Sequence, residues 1–331
     1  MIGTVRKIAA FAVLLVALAA LFVVAVNTGT LKVGPMQLLH GLFVEYDDSV
    51  ATVFDLRFPR IFIAMAGGAA LAASGALLQA VIRNPLADPG IIGISSGAGF
   101  AAVAVTLFAP ALFYFTPLIA CAGGFAAFSL VYALSWRKGS LSPLRIVLVG
   151  IAVSAMFSGL SAAASTGSGG ALSGAAALVD ANITMKTWGD LRVLLAYAAP
   201  LLVAALVAWK RCDLLLLEDK TARSLGVDVA GNRLGISAIA VVLASIATAV
   251  IGPISFLGLI VPHCARLLVG SGHRWLVPYS MLLGAFALLL ADTIGRSVAA
   301  PYEISAAVVM SVIGGPAFIV LLRKAGSAYG E

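Results

Sequence analysis

Nine apolar stretches of about 20 residues follow one another along this chain, at roughly 8–26, 60–82, 91–109, 113–135, 144–166, 191–209, 233–251, 274–296 and 305–322. A helix needs about 20 such residues to cross a bilayer. Backbone in lipid must also satisfy its own hydrogen bonds, so each stretch is predicted to be a spanning helix. A shorter apolar piece, 256–269, makes a tenth if it is tucked inside the protein. Charged residues are only 11% of the chain, against about 25% in soluble domains. That leaves too little charge to cover a water-facing surface.

The expected fold is an all-α polytopic membrane protein with about ten transmembrane helices in one domain, 1–331. Its one patterned polar insertion lies at about 214–233. The first apolar run follows Arg6 and Lys7 and exceeds the usual signal-peptide core of about 7–15 residues, so an uncleaved first helix is expected. With the N-terminus in the cytoplasm, ten spans put 15 of the 21 Lys and Arg residues in inner segments and 6 in outer ones. Both termini are then cytoplasmic. The net charge of +7 follows this topology and does not point to nucleic acid. Cys121, Cys212 and Cys264 lie far apart in or beside apolar runs and read as small hydrophobes. No GxxxxGK[ST] motif occurs, nor HExxH, a nucleophile elbow or a histidine cluster; His40, His263 and His273 are scattered. No enzyme activity, cofactor or metal site is expected.

Small residues fill the spans. GGAALAASGALL (67–78) and GISSGAG (93–99) put Gly, Ala and Ser on helix faces, which lets helices approach closely in lipid. Between them, Arg83, Asn84, Pro85, Leu86, Asp88 and Pro89 interrupt the apolar pattern. Neither proline continues a helix, so Asn84 and Asp88 are expected in a rigid turn, each capping the residues C-terminal to it. That turn either closes a structural corner or flanks the inner mouth of a pathway. At the opposite side, LRFPR (56–60) sets Arg57 and Arg60 at the predicted start of a helix, where cations oppose the helix dipole. Arg296, in ADTIGR, ends a span at the same surface. Lipid anchoring or a carboxylate-bearing partner would account for these arginines. In the insertion, Glu218–Leu225 reads as a short helix stopped by Gly226, with a second short turn running to Asn232. Two small helices there would form a knob able to take a push from a soluble partner.

Together these motifs strongly resemble the permease subunits of bacterial ABC importers for ferric siderophores, haem and vitamin B12, the FecCD/BtuC-like family. The matching pieces are LRFPR, GGAALAASGALLQAVIRNPLADPGIIGISSGAG, LEDKTARSLGV, GPISFLGLIVPHCARLLVG and LLADTIGR, in order from residue 56 onward. The resemblance implies a type II ABC importer permease fold in the bacterial cytoplasmic membrane. It also implies a second permease subunit (an identical or a related chain), two cytoplasmic ABC ATPases, and a periplasmic or lipid-anchored substrate-binding protein. By position, Arg57, Arg60 and Arg296 match arginines that receive the binding protein's acidic residues. Glu218, Asp219, Ala222, Arg223, Leu225, Gly226 and Val227 match the coupling helices in the ATPase cleft. Arg83, Asn84, Pro85 and Leu86 match the cytoplasmic turn near the pathway. TWGD (187–190) and EISAA (303–307) depart from the family pattern. The implied function is ATP-driven import of a ferric siderophore by alternating access, with haem or cobalamin as the alternative cargo. An ion-coupled carrier is a distant reading, because Asp292 is the only acid embedded in a predicted span.

Overall fold

A computed structural model describes residues 3–28, 47–137, 140–141, 143–167, 183–298 and 302–326, with isolated positions between 33 and 44. Twelve α-helices run through them: α1 Thr4–Asn27, α2 Asp48–Ile82, α3 Ile94–Phe108, α4 Thr116–Ser135, α5 Pro143–Gly167, α6 Trp188–Val207, α7 Trp209–Leu215, α8 Asp219–Ser224, α9 Val229–Ile251, α10 Leu257–Val269, α11 His273–Val298 and α12 Ala306–Gly326. A 3₁₀ turn at Pro110–Phe115 and a two-residue strand pair, Trp136–Arg137 with Ser140–Leu141, complete the described elements. Seven helices are long and apolar enough to cross a membrane. The shorter apolar helices α3, α10 and α12 bring the total to the ten that hydropathy predicts.

The centre of the bundle is α2, with α9 and α11 packed along it. Small residues let α10 and α11 approach α2 closely. A Cβ placed on Gly68 would fall on the carbonyl of Gly284 in α11, and one on Gly75 would fall on the carbonyl of Gly258 in α10. Around this core, α1, α4, α5 and α6 keep most of their apolar surface outward, as lipid-facing helices do. The short helix α10 is about 20 Å long, less than the roughly 30 Å hydrocarbon core. Its apolar face is buried on α2 and α11. A helix of that length suits a site inside the protein, as the sequence expectation required.

Two expectations are corrected. Helix α2 begins at Asp48, whose neighbour Asp47 caps it by accepting from the amides of Ser49 (2.8 Å) and Val50 (3.2 Å). Arg57 and Arg60 therefore lie inside the helix, not at its start, beyond the first turn where its dipole would oppose them. The second turn foreseen to Asn232 is not a separate element. Asp228 accepts from Gly231 N at 2.9 Å, and α9 then continues unbroken to Ile251. Nothing between Gly231 and Arg233 stops a helix once it is capped. Lys32 and Lys138, which contribute to the predicted topology, lie outside the described residues.

Candidate functional site

Two charged junctions stand at opposite ends of α2. The first holds the arginines. Arg60 is 7% exposed, and its guanidinium grips Asp292 of α11 with Nε (3.0 and 3.1 Å) and Nη2 (2.8 Å). Its Nη1 donates to Glu303 Oε2 at 2.8 Å. Arg296 lies one turn beyond Asp292 and approaches it at 3.2 Å. The remaining donors of this group turn to α1: Arg296 donates to the carbonyls of Ala25 (3.3 Å) and Thr28 (3.5 Å), and Arg57 to that of Val26 (2.6 Å). These carbonyls lie in the last turn of α1 and just beyond it, where a helix lacks internal partners and carries partial negative charge. The dipole that matters is that of α1, and for it the sign is favourable.

Glu303 ties the junction together. It accepts from Arg60 and, at 2.7 Å, from the hydroxyl of Thr184 in the segment before α6. Burial pushes its carboxyl up, but the Thr184 hydrogen bond and Arg60 outweigh this and hold it below the ordinary range. Three arginines against Asp292 and Glu303 leave a net charge of +1. In this state Arg60 and Arg296 are buried and their charge is already partnered, which the sequence did not anticipate. One departure from the family pattern has structural work here. In TWGD, Thr187 and Asp190 form a capping box that starts α6; in EISAA the departure follows Glu303, which the family pattern shares.

The second junction joins the proline turn to the polar insertion. Arg83 ends α2 in the left-handed region (φ 53°). Its side chain donates through Nε to the carbonyl of Leu215 (2.5 Å) and through Nη2 to Asp219 of α8 (2.5 Å). Arg233 of α9 reaches the same Asp219 oxygen at 3.2 Å. Burial raises the Asp219 carboxyl, yet the two guanidinium groups hold it below its usual value. Arg83 and Asp219 were expected in separate roles; the structure brings them together. Helix α8 spans Asp219–Ser224, with Glu218 as its N-cap and Ala222 as its buried contact. Leu225 caps its C-terminal end, and Gly226 and Val227 lead into α9. Arg223 and Leu225 are exposed, and Gly226 takes φ +77°. Nearby, Asp213 accepts from both the amide (3.0 Å) and Nδ1 (2.7 Å) of His273, locking α7 to the start of α11.

The turn itself is rigid. Asn84 Oδ1 accepts from Leu86 N at 2.9 Å, with Pro85 between them. Asp88 Oδ1 accepts from Gly90 N (2.7 Å) and Ile91 N (3.2 Å). The other Asp88 oxygen is buried against Gly258, in the first turn of α10, without a hydrogen-bond partner. Gln79 of α2 completes the clamp by donating to the carbonyls of Ala87 and Gly258, both at 3.2 Å. The two most specific motifs, RNPLADP and GLIVPHCAR, are therefore packed together, with the turn against the first turn of the short helix. Sequence reasoning saw Asp88 as a local cap and missed its burial against α10.

Burial pushes the Asp88 carboxyl up from 3.8 to about 6, while backbone amides pull the other way. The folded chain thus holds this proton more tightly than the unfolded chain does. Its contribution to stability is complete below about pH 4 and is lost as pH rises through about 6. That gap corresponds to about 3 kcal/mol at most. Asp213, Asp219 and Glu303 are held low, so their losses begin only at lower pH. Thermal stability of the purified chain should therefore rise on acidification from pH 7 to 5. In Asp88→Ala this slope should flatten; an unchanged slope would remove Asp88 as its source.

Ten apolar helices joined through small residues, with an ordered charged junction at each end, define a polytopic membrane permease. The chain belongs to the FecCD transport family, whose sequence model matches residues 15–324. It is 37% identical over 317 residues, 96% of both chains, to the "Probable heme-iron transport system permease protein IsdF" of Staphylococcus aureus, in strains MSSA476 and Newman among others. Among solved structures, it matches a metal-chelate type ABC transporter in an inward-facing conformation with a TM-score of 0.77 and 30% identity, over 96% of this chain and 99% of that one. PsaBC from Streptococcus pneumoniae shares the fold alone, at 15% identity and a TM-score of 0.56, over 86% and 94% of the two chains. The chain is thus an ABC importer permease of this family.

Proposed function

We propose that this permease carries an iron chelate across the bacterial cytoplasmic membrane, with ATP hydrolysed on two partner subunits. The observation that carries the coupling step is the Arg83–Asp219–Arg233 junction. A push on the segment 218–227 around α8 passes through Asp219 to the ends of α2 and α9 without a flexible link. The turn 83–86 then moves with the core helix that it terminates. A single domain over residues 1–331, with 214–233 facing the cytoplasm, fits this route, and the Lys220, Arg223 and Arg233 side chains of the insertion support that orientation. A second permease chain would complete the pathway.

A substrate-binding protein would dock at the arginine end, where Arg57, Arg60 and Arg296 leave net positive charge. Because Arg60 and Arg296 hold the fold together, the clean docking variant is Arg57→Glu. It should weaken binding-protein affinity in nanodiscs about tenfold, since charge reversal at a rim adds repulsion to a lost attraction. Unaltered affinity would assign Arg57 to fastening α1 alone. For the cargo, the named relatives favour haem, and the motif resemblance supports a ferric siderophore. Competition uptake separates the two: for a haem permease, unlabelled haem abolishes uptake of labelled haem and a ferric siderophore leaves it intact.

A further inference from the structure

Between α4 and α9 a groove of about 490 Å³ opens at the end of the bundle that holds the proline turn, beside a smaller cavity of about 250 Å³. The two share Phe128, Tyr132, Asp219 and Arg233 as lining. Three guanidinium groups, of Arg83, Arg223 and Arg233, stand at the mouth against one carboxylate, Asp219, a balance of +2. Arg233 Nε is buried there without a hydrogen-bond partner. Away from the mouth the lining becomes mostly apolar, with Ser129 and Ser237 among Phe125, Phe128, Leu234 and Ala238. Phe125 lies seven residues above Tyr132 on α4, and Ala238 nine residues above Val229 on α9, so the groove reaches about 10–14 Å into the spans. Its outer wall, α4, is a lipid-facing helix, with Trp136 half-exposed at the mouth.

We propose that this groove holds an anionic phospholipid of the adjoining leaflet, its phosphate among Arg223, Arg233 and Arg83 and its acyl chain along Phe125, Phe128 and Ala238. Each part of the groove matches one part of that molecule. Arginine forks bind phosphate bidentately, basic pockets between spanning helices recruit anionic headgroups, and Tyr and Trp belong at the headgroup level. An acidic side chain from a soluble partner would reach the mouth and leave the apolar length empty. Because Asp219 sits in the same mouth, lipid composition would bear on the junction between α8 and the core.

The test uses the full-length chain in nanodiscs of phosphatidylcholine with and without phosphatidylglycerol, followed by native mass spectrometry of retained lipid. Phosphatidylglycerol should be retained over phosphatidylcholine by about tenfold, as expected for loss or gain of a few juxtamembrane cationic contacts. Arg223→Gln with Arg233→Gln should abolish the preference. Ala238→Trp, which fills the apolar end and leaves the arginines intact, should abolish it too and keeps the test open if the arginine variant does not fold. Inorganic phosphate should not displace the lipid. Equal retention of the two lipids, a preference that survives Ala238→Trp, or displacement by inorganic phosphate would overturn the proposal, the last by reducing the groove to an anion site.

Discussion

Arg60→Met is expected to lower the stability of the folded chain by about 3 kcal/mol, the low end of the cost of breaking a buried ion pair. The cost arises from what stays behind. Asp292 is 1% exposed, and without the three contacts from Arg60 its charge is left to Arg296 alone, at 3.2 Å. Glu303 also loses a partner, but it is half-open and can turn to water. Adding Asp292→Asn to Arg60→Met should therefore recover most of the loss, because a neutral amide is far cheaper to bury than a carboxylate. Denaturation midpoints of the purified single and double variants decide the matter. A double variant no more stable than Arg60→Met would show that the loss comes from packing of the long arginine chain.

The second large effect is expected at Gly75. A side chain there meets the Cα, carbonyl carbon and oxygen of Gly258, which are backbone and cannot turn aside. Gly75→Val should cost about 3 kcal/mol or more, the upper range for overpacking a filled interior. It should also displace α10 from Gln79 and Asp88, because all three meet Gly258. Gly235→Ala is the matched control. That glycine also lies within a helix, yet a Cβ there meets nothing within 4 Å, so the change should be neutral or stabilising by up to about 1 kcal/mol. Yield of monodisperse protein after extraction reads both; a Gly75→Val chain that behaves like Gly235→Ala would mean α2 and α10 are not in close contact.

These variants mark where sequence reasoning succeeded and stopped. The spans were legible because lipid admits few alternatives to a helix of about 20 apolar residues. The start of α2 was not, since Asp48, Asp55, Arg57 and Pro59 break the apolar pattern while the helix runs through them. Asp292 and Arg296, one turn apart, were both noticed, yet the main partner of Asp292, Arg60, lies 232 positions away. The same is true of Arg83 and Asp219, separated by 136 positions. Local patterns give periodicity, caps and turns. They carry nothing about which buried charges meet once the helices pack, and both junctions depend on that.

On the proposed route, an outside motor drives this permease through α8 and the Arg83–Asp219–Arg233 junction. The direct measurement is uptake of labelled iron chelate into sealed vesicles that contain the assembled importer, with ATP and ion gradients varied independently. Uptake should require ATP, persist when proton and sodium gradients are collapsed, and fall at least about tenfold in Asp219→Lys, which sets a third cation between Arg83 and Arg233. Uptake that continues without ATP and collapses with the ion gradient would contradict the account.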